Sequence, residues 1–84
     1  MPDPVSWKVI ERGWTVIGAD GEKLGRADEV LGIPEDDIFD GLAVSGGLLK
    51  SRRYVPSEQI GPIYEGEIHL TIGKDEFERL PPPQ

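Results

Sequence analysis

The chain has 84 residues and no cysteine, and its 16 acidic against 9 basic side chains leave a net charge of −7. Disulfides, thiolate catalysis and cysteine zinc sites are therefore excluded. A chain this acidic also repels a phosphate backbone except where its basic residues cluster.

Hydrophobic residues make up 37% and charged residues 30%, which suits a soluble globular domain rather than a disordered chain. Eleven glycines and eight prolines favour short strands and turns over long helices. No apolar run approaches the ~20 residues of a membrane span. Nor does a basic segment followed by an apolar one open the chain, so a cytoplasmic protein, or a soluble fragment of something larger, is expected.

Residues 1–10 read as an N-terminal arm. Met1 to Ser6 is loose, with two prolines. Val5-Ser6-Trp7-Lys8-Val9-Ile10 is more apolar and is expected to lie across one end of a core, with Trp7 as its anchor or as a contact for a partner. The compact domain is expected over residues 11–80. It opens with Trp14-Thr15-Val16-Ile17, a β-branched and aromatic run suited to a half-buried strand. Asp20-Gly21 then predicts a tight hairpin turn, because glycine takes the positive-φ position without a Cβ clash. On the return, Leu24, Ala27 and Val30 lie three apart. A helix would accept that spacing, but Gly25 and Gly32 bracket it and no N-cap precedes it. A strand bulged near Gly25 is the expectation.

Pro34 and the acids Glu35, Asp36 and Asp37 predict a loop. Ile38 to Gly46 is the next strand. Ile38, Leu42 and Val44 share one parity, and Phe39 and Ala43 the other. Such a strand needs cover on both faces, from a terminal segment or a partner. A turn follows at Gly46-Gly47, then a strand from Lys50 to Pro56 and one helical turn at Ser57 to Ile60. Ile68, Leu70 and Ile72 alternate with Glu67, His69 and Thr71, so one face points in and one out. Asp75, with Glu78 three residues on, predicts a short capped helix whose Phe77 and Leu80 dock on the core. Pro81 to Gln84 reads as an extended, disordered tail or the start of a linker.

Two segments carry a family resemblance. Gly18-Ala19-Asp20-Gly21-Glu22-Lys23-Leu24-Gly25-Arg26-Ala27-Asp28-Glu29-Val30 resembles the opening motif of the PRC-barrel domain. Tyr54-Val55-Pro56-Ser57-Glu58-Gln59-Ile60 is similar to that family's second motif, at the right separation. The resemblance covers roughly residues 11–80. It implies a small, mostly antiparallel β-barrel of about six strands with a short C-terminal helix. The family occurs in the H subunit of the photosynthetic reaction centre, in a ribosome maturation factor and as short standalone proteins. It implies a packing and interaction module with no catalytic residues. This chain lacks the H subunit's membrane helix and has no room for the maturation factor's N-terminal domain, so neither role is carried over.

Residue by residue, the chemistry points the same way. His69 is the single histidine and sits on the polar parity of a strand, where a metal would need convergent partners. No serine lies in a nucleophile elbow. Glu35-Asp36-Asp37 lacks the alternating ligands of a calcium loop. The glycines of 18–25 are not followed by a helix that would cradle phosphate. No catalytic, cofactor or metal residue is therefore expected.

Lys50, Arg52 and Arg53 form the one basic cluster. They are either a contact for an anionic partner or a charged edge that keeps a strand from pairing. With Trp7 and Phe39 they are the candidate contact residues. The expected function is a noncatalytic β-barrel module that binds a protein partner or itself. The alternative is an RNA- or ribosome-associated barrel using the basic cluster, although nucleic acid is disfavoured by the net charge. An enzyme or small-ligand carrier comes third, because a barrel this small fills with side chains.

Overall fold

The computed structural model describes residues 3–46 and 51–83. Among these residues six strands form one sheet: β1 (Thr15–Ile17), β2 (Lys23–Ile33), β3 (Ile38–Gly46), β4 (Ser51–Pro56), β5 (Ile60–Tyr64) and β6 (Glu67–Leu70). A short helix, α1 (Lys74–Glu78), follows. Three 3₁₀ turns fill the connections, at Trp7–Val9, Pro34–Asp36 and Ser57–Gln59. The mostly β expectation and the short C-terminal helix both hold.

The closed antiparallel barrel does not. The sheet order is β4-β3-β2-β1-β6-β5, with β4 and β5 as unpaired ends. The sheet is also mixed, because β1 runs parallel to β6, with Val16 opposite Ile68. It is nonetheless strongly curled. Six strands laid flat would separate β4 from β5 by about 24 Å. Yet only the Ser57–Gln59 turn joins them, and the four Cα steps from Pro56 to Ile60 reach at most about 14 Å. The sheet must bend round to bring its two ends together.

The chain's own ends occupy the two open edges. On β5, the Ile63 carbonyl accepts the Val5 N–H at 2.7 Å. On β4, Tyr54 donates its N–H to the Pro81 carbonyl at 2.8 Å. The proline tail, expected to be disordered, is therefore tied to the sheet at its first residue. This protection answers the hazard that an exposed edge poses for pairing with other chains.

The hairpin forms as the Asp20-Gly21 signal requires. Gly18 N–H donates to the Glu22 carbonyl, Gly21 N–H to the Gly18 carbonyl, and the Asp20 carboxylate accepts the Glu22 N–H at 3.2 Å. Gly21 has φ +85°, and no neighbour lies within 4 Å of where a Cβ would stand. The constraint there is the dihedral itself and not a clash with surroundings.

Bulges turn the three-residue spacing of β2 into one apolar face. Val16 pairs with Gly25 but Ile17 with Lys23, so Leu24 is an inserted residue. Ala27 pairs with Val44 and Glu29 with Ala43, so Asp28 is a second insertion. Each insertion shifts the alternation by one. Leu24 and Ala27 thereby reach the core, with Val30 packed against it. The expected bulge beside Gly25 is present, and the helical reading of this stretch is excluded.

A bulge in β3 overturns one expectation. Leu31 pairs with Gly41 and Gly32 with Phe39, which leaves Asp40 inserted. The alternation slips there, so Phe39 shares the inner face of Leu42 and Val44, not that of Ala43, and packs against the core. Ala43 is fully buried on the outer face between its cross-strand neighbours Glu29 and Tyr54. Around Leu42 to Val44 the cover on both faces of β3 thus comes from this chain, whereas Ile38 at its start stays half exposed.

The interior is filled by Val16, Leu42, Val44, Val55, Ile68 and Phe77. Phe77 is set by α1, whose N-cap is Gly73 with no side-chain hydrogen bond. The expected Asp75–Glu78 capping box is absent, since the helix begins one residue before Asp75 and leaves it inside the first turn.

Candidate functional site

The basic cluster separates into two internal fixtures. Arg52 reaches across the sheet to β2, with Nε 2.7 Å from the Asp28 carboxylate and a terminal nitrogen 3.3 Å from Glu29. Arg12 meets the other Asp28 oxygen at 3.2 Å. The inserted residue Asp28 thus joins the approach to β1 with β4. Arg53 points instead at the C-terminal segment. It donates to the Leu80 carbonyl at 3.1 Å and lies 6.0 Å above the Phe77 ring, within reach of a cation–π attraction. Its Nε is buried without an acceptor among the described residues. Lys50 lies outside the described residues, as does Gly47 of the expected turn. Adjacent in sequence, Arg52 and Arg53 alternate in direction along the strand, so they do not form a shared anion contact.

Trp7 and Phe39 come together. Their rings stack at 4.9 Å with 10° between planes. Trp7 Nε1 donates to the Asp37 carboxylate at 3.3 Å, and Lys8 Nζ stands 3.4 Å from the same oxygen. Ser6 caps the turn by accepting the Lys8 N–H. Asp37 can serve both because it ends the Pro34–Asp36 turn in the left-handed conformation, at φ +54°. The arm is therefore pinned at two places, to β5 through Val5 and to the β2–β3 tip through Trp7. It links the end strand β5 to the β2–β3 tip.

The pinning organises a surface that sequence reasoning missed. Among the described residues three large apolar side chains are exposed: Val9 (50%), Ile33 (47%) and Ile38 (51%). Ile33 and Ile38 are direct cross-strand partners at the β2–β3 tip. Val9 belongs to the turn that Trp7 and Lys8 fasten onto that tip. Scattered exposed aliphatics are ordinary, but Ile33 and Ile38 stand side by side. The signal in the sequence was Ile33-Pro34-Glu35-Asp36-Asp37-Ile38, an acidic turn flanked by two isoleucines.

Gln59 Oε1 is likewise buried without a partner among the described residues, whereas His69 and Tyr54 have local ones. His69 Nε2 lies 3.3 Å from Glu67, an ion pair when the imidazole is protonated, and its ring meets Tyr64 edge-on at 5.5 Å. Burial, with the nearby Asp40 charge adding to it, raises the Tyr54 phenol above its ordinary pKa of 10.0. The phenol stays a donor to the Asp40 carbonyl at 2.9 Å.

Surface hollows lie among the described residues. One, of about 410 Å³, is lined by Asp20, Glu22, Gly73, Lys74, Asp75 and Glu76. Another, of about 430 Å³, lies between Leu31, Asp40, Tyr54, Pro81 and Pro82. Among the described residues no three histidine, aspartate or glutamate side chains converge as metal ligands. No helix among them is long and apolar enough to cross a membrane.

Comparison with family models found no match to this chain, and a search of curated proteins found none either.

Proposed function

We propose that this protein is a noncatalytic interaction module that docks a protein partner at the tip formed by β2, β3 and the N-terminal arm. The observation that carries the reading is the exposed cross-strand pair Ile33 and Ile38 at that tip, while Val5 and Pro81 bond to the two edge strands. An apolar patch left exposed on an otherwise protected sheet is a recognised mark of a contact surface. The reading includes membership of the PRC-barrel family. Its support is that the first motif forms the hairpin turn and β2, and the second closes β4 into the Ser57–Gln59 turn. The module is proposed to act in the cytoplasm, which a cysteine-free chain suits.

The RNA-binding alternative stands second, because Arg52 and Arg53 are engaged within the chain on diverging sides of β4, while Lys50 lies outside the described residues. The test is a paired retrieval from native lysate with the wild-type protein and with an Ile33→Ser/Ile38→Ser variant. Both residues are about half exposed, so the variant is expected to fold. Proteins retained by the wild type should be lost with the variant. Identical retention by both proteins would refute the tip as the contact.

A further inference from the structure

The charge around the apolar tip selects the occupant, an inference that rests on the tip being a contact surface. The turn that crowns it carries Glu35, Asp36 and Asp37. Asp37 is neutralised by Lys8. Glu35 and Asp36 are exposed, and no cation lies within ion-pair distance of either among the described residues. Two half-exposed isoleucines thus stand directly beside two uncompensated carboxylates. Asp40, inserted one turn of the bulge away, is exposed as well.

A second copy of the chain fits this surface poorly. Apposing two tips would bring the Glu35 and Asp36 pairs of both copies together, within the Debye length of about 8 Å at physiological salt. Each copy would also bring a net charge of −7. Like charges set against one another suppress a wrong pairing, and opposite charges guide a right one. We infer that the tip docks a different protein, one that presents an apolar surface rimmed by lysine or arginine. The apolar contact supplies the attraction, and the acid rim sets which apolar surfaces are accepted.

The inference is tested with two synthetic amphipathic helical peptides that share a leucine face and differ only in a lysine or a glutamate polar face. Each is titrated into the isotopically labelled full chain, and backbone amide shifts are followed by NMR. The lysine-faced peptide should move the amides of Val9, Ile33 and Ile38, with an affinity that falls by tenfold or more as salt is raised. The glutamate-faced peptide should leave them in place. Glu35→Lys/Asp36→Lys should reverse the preference, and Ile33→Ser/Ile38→Ser should abolish the tip shifts with either peptide. Sedimentation of the free chain should give a monomer.

A dimer that Ile33→Ser/Ile38→Ser dissolves would overturn the basic-rimmed partner while leaving the tip as an interface. Lysine-peptide shifts spread over the acidic surface and indifferent to Ile33→Ser/Ile38→Ser would overturn it too. A monomer that binds neither peptide, together with identical lysate retention by wild type and variant, would overturn both readings.

Discussion

Unstacking Trp7 from Phe39 should release the arm, and the size of the effect follows from the geometry. Both rings are partly buried and lie 4.9 Å apart, nearly parallel. Removing either to alanine forfeits about 100 Å² of apolar burial, or about 2–3 kcal/mol. Trp7→Ala also loses the indole hydrogen bond to Asp37. The stacking itself should appear as a coupling of about 1 kcal/mol, by which the two single losses together exceed that of the double variant. For 84 residues, 1 kcal/mol corresponds to about 6 °C in Tm. The assay is urea unfolding of wild type, Trp7→Ala, Phe39→Ala and the double variant, followed by far-UV circular dichroism. Strictly additive losses would mean that the rings do not meet. The bulge at Asp40, which turns Phe39 inward, would then be wrong as well.

Two further predictions concern the backbone and the alkaline limit of the fold. At Gly25 a Cβ would lie 2.3 Å from the Ser45 carbonyl oxygen, whereas at Gly21 it would meet nothing. Gly25→Ala should therefore push β2 from β3 and cost about 2–3 kcal/mol. Gly21→Ala should cost only the about 1–2 kcal/mol of a left-handed residue. Urea midpoints that rank the two in the opposite order would refute the close approach of β2 and β3. Tyr54 is held above the ordinary phenol value of 10.0 by burial and then by Asp40. The folded chain thus keeps a proton that the unfolded chain releases. Stability from this group is full below that value and is lost as pH rises through the folded pKa. Urea midpoints should fall less steeply with alkaline pH in Tyr54→Phe than in wild type, and equal slopes would show that Tyr54 does not contribute.

Much of the fold was legible because its signals are local. Asp20-Gly21 forms a turn through its own backbone dihedrals and an aspartate that bonds two residues on. Ile68, Leu70 and the residues between them alternate because a strand does. Phe77 reached the core as its spacing to Leu80 suggested. The three-residue rhythm of Leu24, Ala27 and Val30 predicted a bulge, since no unbroken strand could bury all three.

The candidate site was much less legible. Arg52 and Arg53 looked like a basic cluster because they are neighbours in sequence. Their separation depends on Asp28 and Leu80, which sit far away along the chain. The same holds for Phe39, whose face was reversed by the inserted Asp40. An insertion of that kind depends on which residue of β2 stands opposite.

By itself the amino-acid sequence determined that this is a small, acidic, turn-rich β domain with a short docking helix, since those properties reside in composition and in neighbours two to four residues apart. Only the tertiary structure decided that β6 lies parallel beside β1, that the sheet stays open, and that Val5 and Pro81 bond to its edge strands. Those choices depend on long-range hydrogen bonds such as Val5 to Ile63 and Tyr54 to Pro81, whose partners carry no mark of one another in the chain. The placing of Trp7 against the β2–β3 tip was decided the same way, when one stacked pair of rings fastened a distant arm to a hairpin.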